Sequence, residues 1–116
     1  MGSKDDSFKV YVESELLREV EGISIRRMFD GYGVYLRGVC MGLIHAGTLY
    51  FKVDDGNIEL YADEGSKPFV YTGHTGKPIA LSYWEVPAVV MDNPSEIVSW
   101  VSKAHEAAVR SKRKKK

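Results

Sequence analysis

Apolar residues recur at steps of three and four in two stretches, one near each end of the chain. Such spacing places them on one face of an α-helix. The first stretch predicts a helix over Ser7–Glu21 that Gly22 ends, with Asp6 or Ser7 as its N-cap. Its apolar positions are Phe8, Tyr11, Val12, Leu16 and Val20.

The second stretch has the clearest helix start in the sequence. Asn93 is suited to cap it, Pro94 is favoured at a first helical position, and Glu96 is placed to complete a capping box. We expect this helix to end near Val109, and its distal alanines would let a sheet or another helix approach closely. Its apolar stripe consists of Ile97, Trp100, Val101, Ala104, Ala107 and Ala108.

Between these helices the pattern changes to short apolar segments separated by glycines. It predicts four strands, over Ile23–Phe29, Val34–Leu36, Val39–Ile44 and Thr48–Val53. Their connections are too short for parallel crossovers, which indicates an antiparallel meander. The predicted turn residues are Asp30, Gly31, Gly33, Gly38 and Gly47.

The rest of the chain completes an α+β fold. A short helix is predicted over Asn57–Glu64, and a hairpin of two strands over Phe69–Tyr71 and Ile79–Tyr83. We therefore expect a largely antiparallel sheet, a β-meander plus a hairpin, covered by the N- and C-terminal helices. The predicted domain spans 8–109, preceded by a disordered N-terminus or vector-derived remnant (1–7) and followed by a basic disordered tail (110–116).

Charge is distributed unevenly along the chain. Sixteen Lys and Arg balance sixteen Asp and Glu overall, but residues 1–109 hold ten bases against sixteen acids. The tail supplies the other six bases: Arg110, Lys112, Arg113, Lys114, Lys115 and Lys116. An acidic body repels the phosphate backbone, so we expect a protein partner, with nucleic acid binding through the tail as the alternative.

No membrane association is expected, because the sequence has neither an apolar run of membrane-spanning length nor a charged-then-apolar leader. The single cysteine, Cys40, fits a reducing cytoplasm and a small hydrophobe in a strand.

Motifs for catalysis and cofactors are not complete in this sequence. Thr75-Gly76-Lys77 lacks the earlier glycine and following hydroxyl of a phosphate-binding loop, and the three histidines lack metal-ligand spacing. Ser82 lies in no nucleophile elbow. We therefore predict no catalytic residues, no metal and no cofactor.

Cationic and aromatic residues of the strands form the better candidate site. Tyr50 and Lys52 alternate with Leu49, Phe51 and Val53, so they lie on the face away from the helices. Surplus aromatic side chains and the small-residue end of the last helix predict contact with another protein and a homodimer. The candidate interaction surface consists of Tyr35, Tyr50, Lys52, Tyr83 and Trp84. A small-ligand-binding or enzymatic domain with a cleft near Lys52 is a further alternative.

Two glycine-rich stretches carry a family resemblance. Met28-Phe29-Asp30-Gly31-Tyr32-Gly33-Val34-Tyr35 and Gly47-Thr48-Leu49-Tyr50-Phe51-Lys52-Val53-Asp54 resemble the N-terminal domain of the TfoX family, the bacterial competence regulators. Asp30 departs from the family's first glycine, and Met41-Gly42 from its usual Phe-Ala. The resemblance implies the α+β fold above, with a single-domain member as the expectation, and a non-enzymatic regulatory role that could be linked to DNA-uptake competence.

Overall fold

The computed structural model describes residues 4–28, 31–72 and 76–114. Four α-helices and six strands follow one another in an α+β arrangement. The helices are α1 (Lys4–Tyr11, continued by a π-helix over Val12–Leu16), α2 (Ile58–Asp63), α3 (Ala88–Met91) and α4 (Pro94–Lys114). The strands are β1 (Ile23–Met28), β2 (Gly31–Leu36), β3 (Val39–His45), β4 (Thr48–Lys52), β5 (Pro68–Thr72) and β6 (Pro78–Glu85).

All six strands form one antiparallel sheet in the order β1-β2-β3-β4-β6-β5. The predicted meander of four strands is confirmed, and the predicted hairpin joins it with β6 against β4. Arg37-Gly38 and Ala46-Gly47 connect the meander strands with positive φ at both residues, 51° and 82° in the first turn and 51° and 74° in the second. This is the two-residue turn that matches the twist of a hairpin, so the predicted turns at Gly38 and Gly47 are confirmed.

Gly31 and Gly33 are not turn residues, contrary to the prediction, because both lie within β2. A Cβ atom on Gly31 would come within 1.9 Å of the Ile44 carbonyl oxygen, so glycine permits close approach of two strands there. A Cβ on Gly33 would meet the Met28 sulfur at 2.7 Å. The predicted turn residue Asp30 lies outside the described residues.

The helices cover one face of the sheet, and the core lies between them. α4 packs on β3 and β4, and α3 packs on α4. The whole predicted stripe of α4 is buried, from Ile97 to Ala108, and so are Leu49, Phe51 and Val53 of the neighbouring chain segment. Complete burial of each large apolar side chain contributes about 1.5–3 kcal/mol.

The first helix starts and ends earlier than predicted. It begins at Lys4, so Asp6 and Ser7 lie inside it instead of capping it, and residues 4–7 are helical rather than disordered. A wider π-turn then ends the helix at Leu16, where the Leu17 amide donates to the Val12 carbonyl at 2.9 Å. This turn allows the consecutive residues Leu16 and Leu17 both to be buried.

The last helix begins as predicted but continues further. The Glu96 amide donates to the Asn93 side-chain oxygen at 3.2 Å, which confirms the N-cap. The helix runs to Lys114, so the prediction of disorder from Arg110 is wrong for residues 110–114; Lys115 and Lys116 lie outside the described residues. An ion pair between Arg110 and Asp54 accounts for part of this extension.

Candidate functional site

The register of β4 separates the two faces of the sheet. Leu49 and Phe51 are buried under the helices, and the alternating residues Tyr50 and Lys52 lie on the opposite face. Lys52 is opposite Tyr83 of β6. We call this side, defined by Tyr50, Lys52, Tyr83 and the residues aligned with them, the open face.

Lys52 is held in place by two neighbours on β6. Its Nζ donates to the Ser82 hydroxyl at 2.6 Å and lies 5.2 Å from the centre of the Tyr83 ring. A cation over a ring at an exposed site contributes about 0.5–1 kcal/mol. These two contacts give the Lys52 ammonium group a defined position beside Ser82 and Tyr83.

Tyr83 connects Lys52 to the cysteine of β3. Its hydroxyl donates to the Cys40 sulfur at 4.0 Å. Burial raises the pKa of Tyr83 well above its ordinary value, and the nearby Cys40 raises it further. Tyr83 is therefore a neutral hydrogen-bond donor at physiological pH. Cys40 is half-buried, and its thiol donates to the Gly42 carbonyl at 3.6 Å.

Tyr35 belongs to the same end of the open face. It is paired with Cys40 across β2 and β3. Its hydroxyl donates to the Met28 sulfur at 3.8 Å, and the Arg26 guanidinium lies 5.2 Å from its ring centre. The structure thus brings together three residues of the predicted interaction surface: Tyr35, Lys52 and Tyr83.

Trp84 does not belong to this surface. It is opposite Phe51 in β4 and packs against the hydrophobic core. Adjacent residues of a strand point to opposite faces, so Tyr83 and Trp84 cannot both contribute to the open face. Tyr50 is on the open face, but its ring is half-buried against Phe69, with centroids 4.9 Å apart.

Two clefts flank Lys52. One, of about 320 Å³, lies between Tyr35 and Tyr83 on the open face and Ser111 and Lys112 of α4. The other, of about 480 Å³, lies between Lys52 and the end of α4. Lysine ammonium groups and hydroxyls are groups that bind anions, so these clefts correspond to the predicted alternative of a ligand site near Lys52.

Arg110 closes one side of the larger cleft. Its Nε and Nη2 donate to the two carboxylate oxygens of Asp54 at 2.6 and 2.9 Å. The hydrogen bonds to Asp54 raise the pKa of Arg110. The first base of the predicted nucleic-acid tail is therefore engaged within the domain, while Lys112 and Arg113 are exposed on the last turns of α4.

The β5–β6 hairpin curls back over the open face. Phe69 of β5 contacts Tyr50 of β4 although β6 separates these strands, and it also contacts the His45 ring of β3 at 5.2 Å. Outside this contact, Val70, Tyr71 and Ile79 are exposed by 50, 39 and 53%. Neither Pro68–Thr72 nor residues 78–84 include a charged side chain.

Sequence reasoning selected Tyr83 and Trp84 of this hairpin but not its exposed apolar residues Val70, Tyr71 and Ile79. The signal it offered was two neighbouring uncharged segments, Pro-Phe-Val-Tyr-Thr and Pro-Ile-Ala-Leu-Ser-Tyr-Trp. Such segments are equally typical of buried strands. Only the strand order, which places β5 at an edge, shows that their apolar side chains reach the surface.

Within the described ranges, no three His, Cys, Asp or Glu side chains come together in a group that could bind a metal ion. Among the helices of the same ranges, none combines the length and apolar composition that crossing a bilayer requires.

Comparison with known proteins identifies one family. The family model described as TfoX N-terminal domain matches residues 15–108 of the 116-residue chain. The matched range contains all six strands, α2, α3 and most of α4. No curated protein gives a significant match.

Proposed function

The chain belongs to the TfoX N-terminal domain family, and from this premise we propose that it is a non-enzymatic interaction module that functions as a homodimer in the cytoplasm. The proposed contact is the outer edge of the β5–β6 hairpin. Two copies would pair through β5 and extend their sheets into one.

One observation carries this proposal: the apolar, uncharged character of an exposed edge. Isolated edge strands are commonly protected by charges against pairing with other chains. β1 follows that rule with exposed Arg26 and Arg27, whereas β5 presents Val70 and Tyr71. Large apolar side chains at an uncovered edge are typical of an interface.

The residues first expected to form the dimer interface are less accessible to a second copy than those of the hairpin. The distal alanines of α4 are buried against the protein's own sheet, with Ala104 and Ala107 fully covered. Trp84 packs on the core, and Tyr50 is half-buried against Phe69. The hairpin is therefore the better surface for a second copy.

Light scattering of charged variants tests the dimer. We expect the unsubstituted protein to have twice the monomer mass of 13.0 kDa at high micromolar concentration. Val70→Lys on the edge strand, combined with Ile79→Lys on the neighbouring strand β6, should give monomers, because each copy would bring two added positive charges to the symmetric contact.

Val10→Lys is the matched control, because Val10 is also an exposed valine, at 56%, but lies on α1. It should remain dimeric. A monomeric unsubstituted protein, or a dimer that survives the double substitution, would contradict the proposal.

We further propose that the module takes part in regulating DNA-uptake competence, which the family resemblance favours. Deleting its coding sequence in the source organism should change transformation frequency. Complementation with the Val10→Lys variant should restore it, and complementation with the Val70→Lys, Ile79→Lys variant should not. An unchanged frequency in the deletion strain would disprove this role while leaving the dimer to its own test.

A further inference from the structure

An apolar pocket lies between the open face and the curled hairpin, at the end away from Lys52. Its volume is about 120 Å³. Residues of five of the six described strands line it. They are Met28 of β1, Gly31 and Tyr32 of β2, Leu43, Ile44 and His45 of β3, Phe69 and Tyr71 of β5, and Leu81 of β6.

The size of the pocket limits its occupant to a single ring. A cavity of about 150 Å³ lined by aliphatic and aromatic side chains binds benzene. The present pocket is slightly smaller and opens to the surface, so one six-membered ring fits it more closely than a fused ring system does.

The chemistry of the lining limits the occupant further. None of the described lining residues is an aspartate, glutamate, lysine or arginine. A charged ligand would lose its hydration without gaining an ionic partner among these described residues, which is strongly unfavourable. Water is also a poor occupant, because a buried water needs several polar partners.

The walls of the pocket are held by packing within the domain. Phe69 is fixed between the His45 and Tyr50 rings, with centroids 5.2 and 4.9 Å away. Gly33 leaves room for Met28, whose sulfur accepts a hydrogen bond from Tyr35. The pocket is therefore part of the folded domain and does not require the proposed dimer.

From these observations we propose that the pocket is a binding site for a small neutral molecule with one aromatic ring. Tyr71 is common to the pocket and to the proposed dimer contact, but the dimer test substitutes Val70 and Ile79, which do not line the pocket. Failure of one proposal can therefore be distinguished from failure of the other.

Titration of the full-length protein with toluene, followed by NMR, tests the site. We expect saturable shifts of the Leu43 and Leu81 methyl resonances, and intermolecular NOEs from toluene to Met28 and Leu81. Benzoate, which adds a charge, and naphthalene, which adds a second ring, should cause no comparable shifts.

Leu81→Phe should weaken toluene binding roughly tenfold or more, because the larger side chain occupies the pocket. Leu60→Phe is the matched control; Leu60 is 38% exposed on α2 and is not a lining residue, so affinity should be unchanged. If the Leu81→Phe variant fails to fold, the NOEs in the unsubstituted protein test the proposed site instead. Absence of saturable shifts, NOEs only to Val70 and Ile79, or unchanged affinity in a folded Leu81→Phe variant would overturn the proposal.

Discussion

At the residue scale, Tyr61 is a core residue whose buried hydroxyl group has no hydrogen-bond partner among the described residues. Its side chain is completely buried and packs edge-on against Trp100, with ring centroids 4.7 Å apart. No described group accepts or donates a hydrogen bond at its hydroxyl. An unsatisfied buried polar group costs about 1–3 kcal/mol, so Tyr61 is retained at a cost to stability.

We predict that Tyr61→Phe raises the free energy of unfolding by about 1 kcal/mol at neutral pH, because it removes this hydroxyl and keeps the ring. The gain should increase at alkaline pH. Burial raises the folded-state pKa of Tyr61 above the ordinary 10.0, so the unfolded chain loses this proton first as pH rises and stability falls. The phenylalanine variant lacks that contribution. Chemical denaturation across neutral and alkaline pH measures both effects.

Tyr32→Phe is the control for that prediction. The Tyr32 hydroxyl donates to Asp6 and so connects β2 to α1. Its removal should lower stability, not raise it. A destabilised Tyr61→Phe variant would show that the Tyr61 hydroxyl has a partner in solution.

The candidate surface could be predicted only in part from single residues. Alternation along β4 correctly placed Tyr50 and Lys52 opposite Leu49 and Phe51. The same rule, applied to Tyr83 and Trp84, would have assigned them to different faces. The sequence of β6 alone could not show whether Tyr83 or Trp84 points towards the helices, because residues 78–84 are uncharged on both faces of the strand.

At the scale of elements, local signals predicted the start of α4 but not its end, and neither the start nor the end of α1. The start of α4 depends on Asn93, Pro94 and Glu96, which are neighbours in sequence. Its end depends on Arg110 meeting Asp54, fifty-six residues earlier, which local pattern cannot reveal. The end of α1 depends on a π-turn that buries Leu17, and α3 is too short for a periodic pattern.

Because α4 is longer than predicted, fewer residues of the basic tail are available for nucleic-acid binding. Arg110 is paired with Asp54, so binding by the tail would depend on Lys112, Arg113 and the bases that follow. We predict weak, sequence-independent binding to DNA that is lost when the chain ends at Val109, because the remaining body has six more acids than bases.

Fluorescence anisotropy across a salt series compares the two chains. Arg110→Ala in the full-length chain is the control, and it should change the affinity little. Equal DNA affinity of the full-length and shortened chains would rule out the tail as a nucleic-acid contact, and sequence-selective binding by the shortened chain would favour a different surface.

At the scale of the whole molecule, the two edges of the sheet differ in kind. The β1 edge carries exposed arginines, and α1 contacts it through the ion pair of Asp6 with Arg27. The β5 edge carries exposed apolar residues and curls over the open face. This asymmetry supports the proposal that the β5 edge, and not the β1 edge, contacts a second copy. It could not be predicted from sequence, because it depends on which strands end the sheet.

Amide hydrogen exchange of the unsubstituted protein tests the dimer most directly, since it reports on the backbone of β5 itself. If two copies pair through β5, the amides of Val70 and Thr72 should become markedly more protected as concentration rises from low to high micromolar, and those of β1 should not change. Protection of β5 that is independent of concentration, or a concentration effect confined to other elements, would contradict an interaction module that dimerises through this hairpin.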